Sequence, residues 1–158
     1  MNEIAIILAP GFEEVEAITQ IDFLRRADIP EIVAGLEEKD VVSGHNIRIS
    51  ADTIIDTLPA ELDGIILPGG MPGAANIAEN KSAMDLIQKL YDKGKLIAAI
   101  CAAPGVVLGK TDILNNKKFT CYPGFEERVH GAEFSEERVV VVDNVITSRG
   151  PGTAAEMA

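Results

Sequence analysis

The feature that most constrains this chain is a set of short apolar segments that stop at turn residues and alternate with stretches of helical period. Ile4 to Leu8 ends at Ala9-Pro10-Gly11, Glu31 to Ala34 at Gly35, Gly64 to Leu67 at Pro68-Gly69-Gly70, and Leu96 to Ile100 at Cys101. Each has the length and apolarity of a strand buried on both faces. Between them, Val15, Ile18, Ile21, Phe23, Leu24 and Ala27 recur at roughly helical spacing and stop before Pro30, and Ser82 to Lys93 reads as an amphipathic helix ended by Gly94. Strands alternating with helices predict an α/β fold whose mainly parallel sheet is covered on both faces. Ligands are then expected beyond the carboxyl ends of the strands.

The remaining segments fit around that frame. Val41-Val42 and Ile47 to Ile49 flank the polar turn Ser43-Gly44-His45-Asn46 like a hairpin at the sheet edge. A helix is expected from about Pro104 to Gly109, later strands at Phe119 to Tyr122, Val139 to Val142 and Val145 to Thr147, and a last helix after Thr153. Residues 1–158 make one domain. The stretch Ala154 to Ala158 is too short to be a complete covering helix, so the domain is expected to lack its C-terminal helical end.

Composition narrows the function classes. Hydrophobic residues are 47% of the chain and aromatics 4%, with no Trp, so the interior is built from Ile, Val, Leu and Ala. Lys and Arg total 14 against 25 Asp and Glu, a formal charge of -11 that repels phosphate backbones and anionic lipid. Neither nucleic acid nor membrane is expected as a partner. The amino terminus has no basic region before its short apolar run, and no apolar stretch reaches the roughly 20 residues of a membrane helix. With two cysteines in unlike settings and no export signal, free thiols and a cytoplasmic location are expected.

Cys101 is the chemically suggestive residue. It follows Leu96-Ile97-Ala98-Ala99-Ile100 and precedes Ala102-Ala103-Pro104-Gly105, small residues that permit the sharp strand-to-helix turn of a nucleophile elbow. A thiol at the start of a helix meets free N–H groups and a positive dipole end, and such sites lower thiol pKa values to about 3.5 to 7.5. A buried structural cysteine is the alternative that this segment alone leaves open. The Gly69-Gly70 loop ends a neighbouring strand and is expected beside Cys101, where its N–H groups suit an oxyanion. Glu13 and Glu14 suit the dipole at the start of the first helix. Glu16 lies further in, where its carboxyl could turn toward the sheet edge, keep its proton near a thiolate and shuttle it. His45 and His130 are read as solvated surface residues.

Taken together, Ala9-Pro10-Gly11-Phe12-Glu13-Glu14-Val15-Glu16, Leu67-Pro68-Gly69-Gly70, Ala98-Ala99-Ile100-Cys101-Ala102-Ala103-Pro104 and Thr147-Ser148-Arg149-Gly150-Pro151-Gly152-Thr153 resemble the ThiJ/PfpI superfamily. The resemblance is nearest to the branch of the parkinsonism-associated protein deglycase and its bacterial relatives. Four motifs in the right order span nearly the whole chain. The resemblance implies a flavodoxin-like, Rossmann-like three-layer sandwich, usually a homodimer, with Cys101 as the reactive cysteine and Glu16 as the protonated carboxyl beside it. It also implies an anion pocket built from Gly69, Gly70 and Ala102. Where relatives often carry a histidine near the thiol, this chain has Tyr122, which weakens any Cys-His dyad. Tyr122 and Arg149 are expected to line the pocket. Peptidase-like relatives carry histidine directly after the cysteine, whereas Ala102 stands here, so peptidase activity is disfavoured.

The function this implies is cofactor-free and metal-free. Cys101 thiolate would add to a small α-oxoaldehyde such as methylglyoxal, with Glu16 moving protons, to give a hydroxy acid such as lactate or to free a glycated adduct. One alternative is a redox sensor in which peroxide takes Cys101 to the sulfinic acid. Another is a holdase-like chaperone without catalysis, for which no residue gives specific support.

Overall fold

A computed structural model of the protein describes residues 2–158. Its centre is a seven-stranded sheet built from β1 (Glu3–Leu8), β2 (Glu31–Gly35), β5 (Thr53–Ile54), β6 (Leu62–Leu67), β7 (Leu96–Ile100), β10 (Val139–Val142) and β11 (Val145–Ser148). The spatial order is β10-β11-β7-β6-β1-β2-β5. Every neighbouring pair runs parallel except β10 with β11. The apolar runs are buried on both faces, as a covered parallel sheet requires: Ala5 to Leu8, Ile97 and Ala99 to Ile100 are fully inaccessible.

Helices α1 (Glu14–Arg26), α2 (Gly73–Glu79), α3 (Lys81–Asp92), α4 (Ala103–Val106) and α5 (Ala154–Met157) complete a three-layer α/β sandwich. Helix α1 packs with α5, and α2 with α3 and α4. Asn80 caps α3 by accepting the Ala83 N–H at 2.9 Å, and Gly94, at φ 68°, closes the same helix. Among the described residues no helix is long and apolar enough to cross a membrane.

Several local expectations change. Pro68 to Gly73 is followed by the short helix α2, which no apolar stripe announces. The hairpin is real, pairing β3 (Asp40–Val42) antiparallel with β4 (Arg48–Ser50) in the stretch of chain between β2 and the edge strand β5, but as a two-stranded sheet of its own and not as part of the main one. It is held by the loop after β1, where Gly11 N–H donates to Val42 at 2.8 Å and Gly44 N–H to Phe12 at 2.9 Å. The helix expected over Pro104 to Gly109 is a single α turn, Ala103–Val106, followed by a 3-10 turn at Leu108–Lys110. Of the strand expected from Phe119 to Tyr122 only Phe119 is in one, β8 (Lys118–Phe119), which pairs with β9 (Glu133–Phe134).

Helix α1 departs from the simple stripe in a way that matters for the site. Its buried face carries Glu16, Ala17, Gln20, Ile21 and Leu24, whereas Val15, Ile18 and Phe23 are 50%, 40% and 41% exposed. Two polar residues one turn apart thus occupy core positions. Gln20 is satisfied by donating to the Ala154 carbonyl at 2.8 Å, which ties α5 beneath α1. Glu16 points into the layer between α1 and the end of β6.

Candidate active site

The sheet order reverses at β1, which lies between β2 on one side and β6 on the other. At such a switch point the loops leaving adjacent strands diverge and open a crevice beyond their carboxyl ends. Here β1 leads to Glu16, β6 to Gly69 and Gly70, and β7 to Cys101. The register fixes how they meet: Ile6 pairs with Ile66, Leu67 with Ala99, and Ile100 with Ser148.

Cys101 has φ 63°, a left-handed conformation that costs a non-glycine residue about 1–2 kcal/mol. Neighbouring backbone holds it there. Its N–H donates to Ser148 at 2.9 Å, and its carbonyl accepts the Tyr122 N–H at 2.8 Å. The turn throws the side chain off the strand's axis, leaving Cys101 8% exposed, while Cys121 is fully buried. Ser148 is itself braced, its hydroxyl 2.7 Å from that of Thr153, which also accepts the Gly150 N–H at 3.1 Å. This bracing by Ser148 and Thr153 has no counterpart in the sequence reading. Its only signal was the position of both residues in the Thr147 to Thr153 motif.

Gly69 stands between Cys101 and Glu16. A β-carbon at that position would lie 2.5 Å from Cys101 Cβ, 2.8 Å from Glu16 Oε2 and 2.8 Å from the Ile100 carbonyl oxygen. Only glycine lets the sulfur-bearing residue and the carboxyl approach the same point. Gly69 N–H donates to Glu16 Oε2 at 2.7 Å, while Glu16 Oε1 is buried and has no hydrogen-bond partner. Gly70, at φ 83°, turns the loop back onto Glu13 and Phe12.

The electrostatics follow from this crowding. Burial pushes the Glu16 carboxyl up to about 7, and the charge of Glu13 adds to that, while the Cys101 thiol and the Gly69 N–H act against it. A carboxylic acid that keeps its proton near neutral pH therefore sits against the sulfur. The thiol itself departs from the sequence expectation of a lowered pKa. Burial, then the charge and hydrogen bonding of Glu16, push it up to about 12, opposed by the backbone N–H groups of Gly70 and Ala102. Two physical reasons account for the difference. Helix α4 is only four residues long, so its dipole is small, and burial is the largest obstacle to a thiolate, with an ionised Glu16 the next.

These two acids share one crevice, so the protonation of each governs the other. With the proton on Glu16, the carboxylate charge that opposes a thiolate is gone. The protonated carboxyl then offers an O–H donor beside a sulfur that Gly70 and Ala102 already favour as an anion.

Of the remaining sequence-derived candidates, Tyr122 is 46% exposed, its ring edge lying over Gly150 and packing edge-on against Phe125. With Arg149 it lines a cavity of about 200 Å³, and the Tyr122 N–H is bonded to the Cys101 carbonyl. Cys121 lies outside any strand and is pushed up to about 12 by burial and by Glu126, so it remains a thiol. His45, 71% exposed at the side chain, meets Glu14 at 2.7 Å across the hairpin turn and lies 3.9 Å from Glu13.

The chain resembles known proteins over nearly its full length. It is 41% identical to "Protein dj-1beta" of Drosophila melanogaster over 157 residues, covering 97% of this chain and 83% of the fly protein. It is 35% identical to the "Glutathione-independent glyoxalase DJR-1.2" of Caenorhabditis elegans over 159 residues, covering 98% and 84% respectively. The structure of oxidised Toxoplasma gondii DJ-1 superposes with a TM-score of 0.95 at 34% identity, covering 99% of this chain and 86% of the other. The family model for DJ-1/PfpI matches residues 2–158. By sequence and by fold alike, the chain belongs to the DJ-1/PfpI family.

Proposed function

We propose that the protein is a cysteine-dependent, cofactor-free enzyme of the DJ-1 stress-response type that converts small α-oxoaldehydes such as methylglyoxal to hydroxy acids such as lactate. The observation that carries this reading is the meeting of a neutral buried acid, Glu16, with the Cys101 side chain across Gly69. A relative 35% identical to the chain bears the name of a glutathione-independent glyoxalase.

In this reading the Cys101 sulfur attacks the aldehyde carbon, and the aldehyde oxygen takes a proton from Glu16 to give a hemithioacetal. The N–H groups of Gly70 and Ala102 favour negative charge at the sulfur and at the oxygen it generates. Glu16, now a carboxylate, removes the proton from the former aldehyde carbon and returns one to the neighbouring carbonyl carbon, while the hydroxyl proton on the first carbon passes to the oxygen of the second. The first carbon is thereby oxidised to a thioester and the second reduced to an alcohol. Water then cleaves the thioester, releasing lactate and regenerating the thiol. The balance is methylglyoxal plus water to lactate plus one proton, with no external oxidant or reductant.

A positioned proton carrier contributes roughly 10²–10⁴-fold to such a sequence. Glu16→Gln keeps the shape but cannot exchange a proton, so lactate formation should fall by about 100-fold or more. Retention of wild-type turnover in Glu16→Gln, with lactate followed by an enzymatic assay, would remove Glu16 from the reaction. A homodimer is proposed as well, supported by the unusual exposure of Val15, Ile18 and Phe23 on α1.

A further inference from the structure

Three surface cavities differ sharply in charge. One is lined by Pro10, Leu36, Asn76 and Asn80 with Glu37, Glu79 and Lys81, and a second by Pro10, Leu36 and Val41 with Glu37, Glu38 and Asp40. The third, of about 200 Å³, lies between Tyr122-Pro123 and Arg149 to Thr153, and its only charged lining residues are Arg138 and Arg149. In a chain with 25 acidic residues against 14 basic ones, a cavity lined by two arginines and no acidic residue stands apart.

The two arginines are differently placed. Arg138 is occupied, binding the Glu156 carboxylate through Nε at 2.8 and 2.9 Å and the Gly152 carbonyl at 2.9 Å. Arg149 forms no ion pair among the described residues, and its Nη1 is buried without an acceptor. An orphaned buried guanidinium N–H is costly and is normally satisfied by an acceptor that the chain itself does not supply here. Two of its lining residues, Tyr122 and Arg149, also flank the Cys101 backbone. Tyr122 donates its N–H to the Cys101 carbonyl, and Arg149 follows Ser148, which accepts the Cys101 N–H.

We infer that this cavity is an anion subsite for the substrate, in which Arg149 takes a carboxylate carried by the α-oxoaldehyde whose aldehyde carbon meets Cys101. The inference rests on the glyoxalase reading for its chemistry, although the binding of the carboxylate does not. It makes α-oxoaldehydes bearing a carboxylate a few bonds from the reacting carbon better substrates than neutral ones. The planar guanidinium fork matches a carboxylate, and the volume, several waters' worth, suits a small one. For γ,δ-dioxovalerate the reaction adds one water, oxidises the aldehyde carbon to a carboxylate and reduces the neighbouring ketone to an alcohol, giving α-hydroxyglutarate.

The test compares kcat/KM for γ,δ-dioxovalerate with that for methylglyoxal in wild type, Arg149→Ala and Arg149→Lys. The ratio should fall about tenfold or more in Arg149→Ala, as expected for loss of a hydrogen bond between charged groups, and recover in part in Arg149→Lys. Because it is a ratio, a general loss of folded protein cancels. An unchanged ratio overturns the subsite. Turnover of neither aldehyde by wild type would overturn the glyoxalase reading instead, and the subsite is then judged by binding alone. In that experiment levulinate, which lacks the aldehyde, is titrated by NMR against its uncharged analogue methyl propyl ketone. Levulinate should bind about tenfold or more tightly to wild type than to Arg149→Ala, with the difference shrinking as salt is raised. Equal binding of levulinate to both proteins overturns the inference.

Discussion

Replacing Cys101 with alanine is expected to reduce lactate formation from methylglyoxal to the rate seen in buffer alone, while the protein remains folded. The sulfur is the only atom in the crevice proposed to bond to substrate, so no residual pathway is left. Alanine fits the space, and the left-handed backbone at this position is imposed by the hydrogen bonds to Ser148 and from Tyr122, which do not involve the side chain. Cys121→Ala is the matched control. That thiol is fully buried, outside the crevice and held protonated, so its loss should leave turnover intact. Lactate production by Cys101→Ala, or its loss in a folded Cys121→Ala, would place the chemistry elsewhere.

The second large effect is on stability. Glu16 is completely inaccessible, and its pKa rises from 4.5 to about 7 on folding. Between these values the native state holds a proton that the unfolded chain has released, so the slope of stability with pH is negative. The stability associated with neutral Glu16 is fully present below pH 4.5 and is lost as pH rises through about 7. Over that window the loss amounts to about 3 kcal/mol by linkage. Urea unfolding at pH 5 and pH 8 should show this decline in wild type and a much flatter profile in Glu16→Gln, which cannot ionise. A wild-type stability that rises across this interval, or an equal decline in the glutamine variant, would show that the Glu16 carboxyl is not held neutral by the fold.

Much of the architecture was legible because buried parallel strands leave a strong mark. The runs at Ile4, Gly64 and Leu96 are apolar without alternation and end at turn residues, and all three lie next to one another in the sheet. The residues that matter chemically follow directly from those ends, which is why Cys101, Gly69 and Gly70 could be placed at one edge. Glu16 was harder, because helical period alone favours burying Val15 and Ile18 rather than a carboxyl. The polar face of α1 is buried because the Gly69 N–H and the Ala154 carbonyl supply partners from distant segments. Such partners have no local signature. The same holds for α2, a seven-residue helix without a stripe, and for the sulfur's protonation, which depends on how deeply the crevice is covered. A helix only one turn long after Cys101 removed much of the dipole on which a lowered thiol pKa had been expected.

The account turns on one proton held between Glu16 and Cys101. Its most direct measurement is the rate of Cys101 alkylation by iodoacetamide as a function of pH, followed by intact mass. Because burial and an ionised Glu16 push the thiol up to about 12, the rate should stay low through neutral pH in wild type, and its rise should move to lower pH in Glu16→Gln, where the opposing charge is absent. A rise at or below the roughly 8.5 of a free thiol in wild type, or one that Glu16→Gln leaves unmoved, would contradict it, since the Glu16 carboxyl would then have no hold on the sulfur.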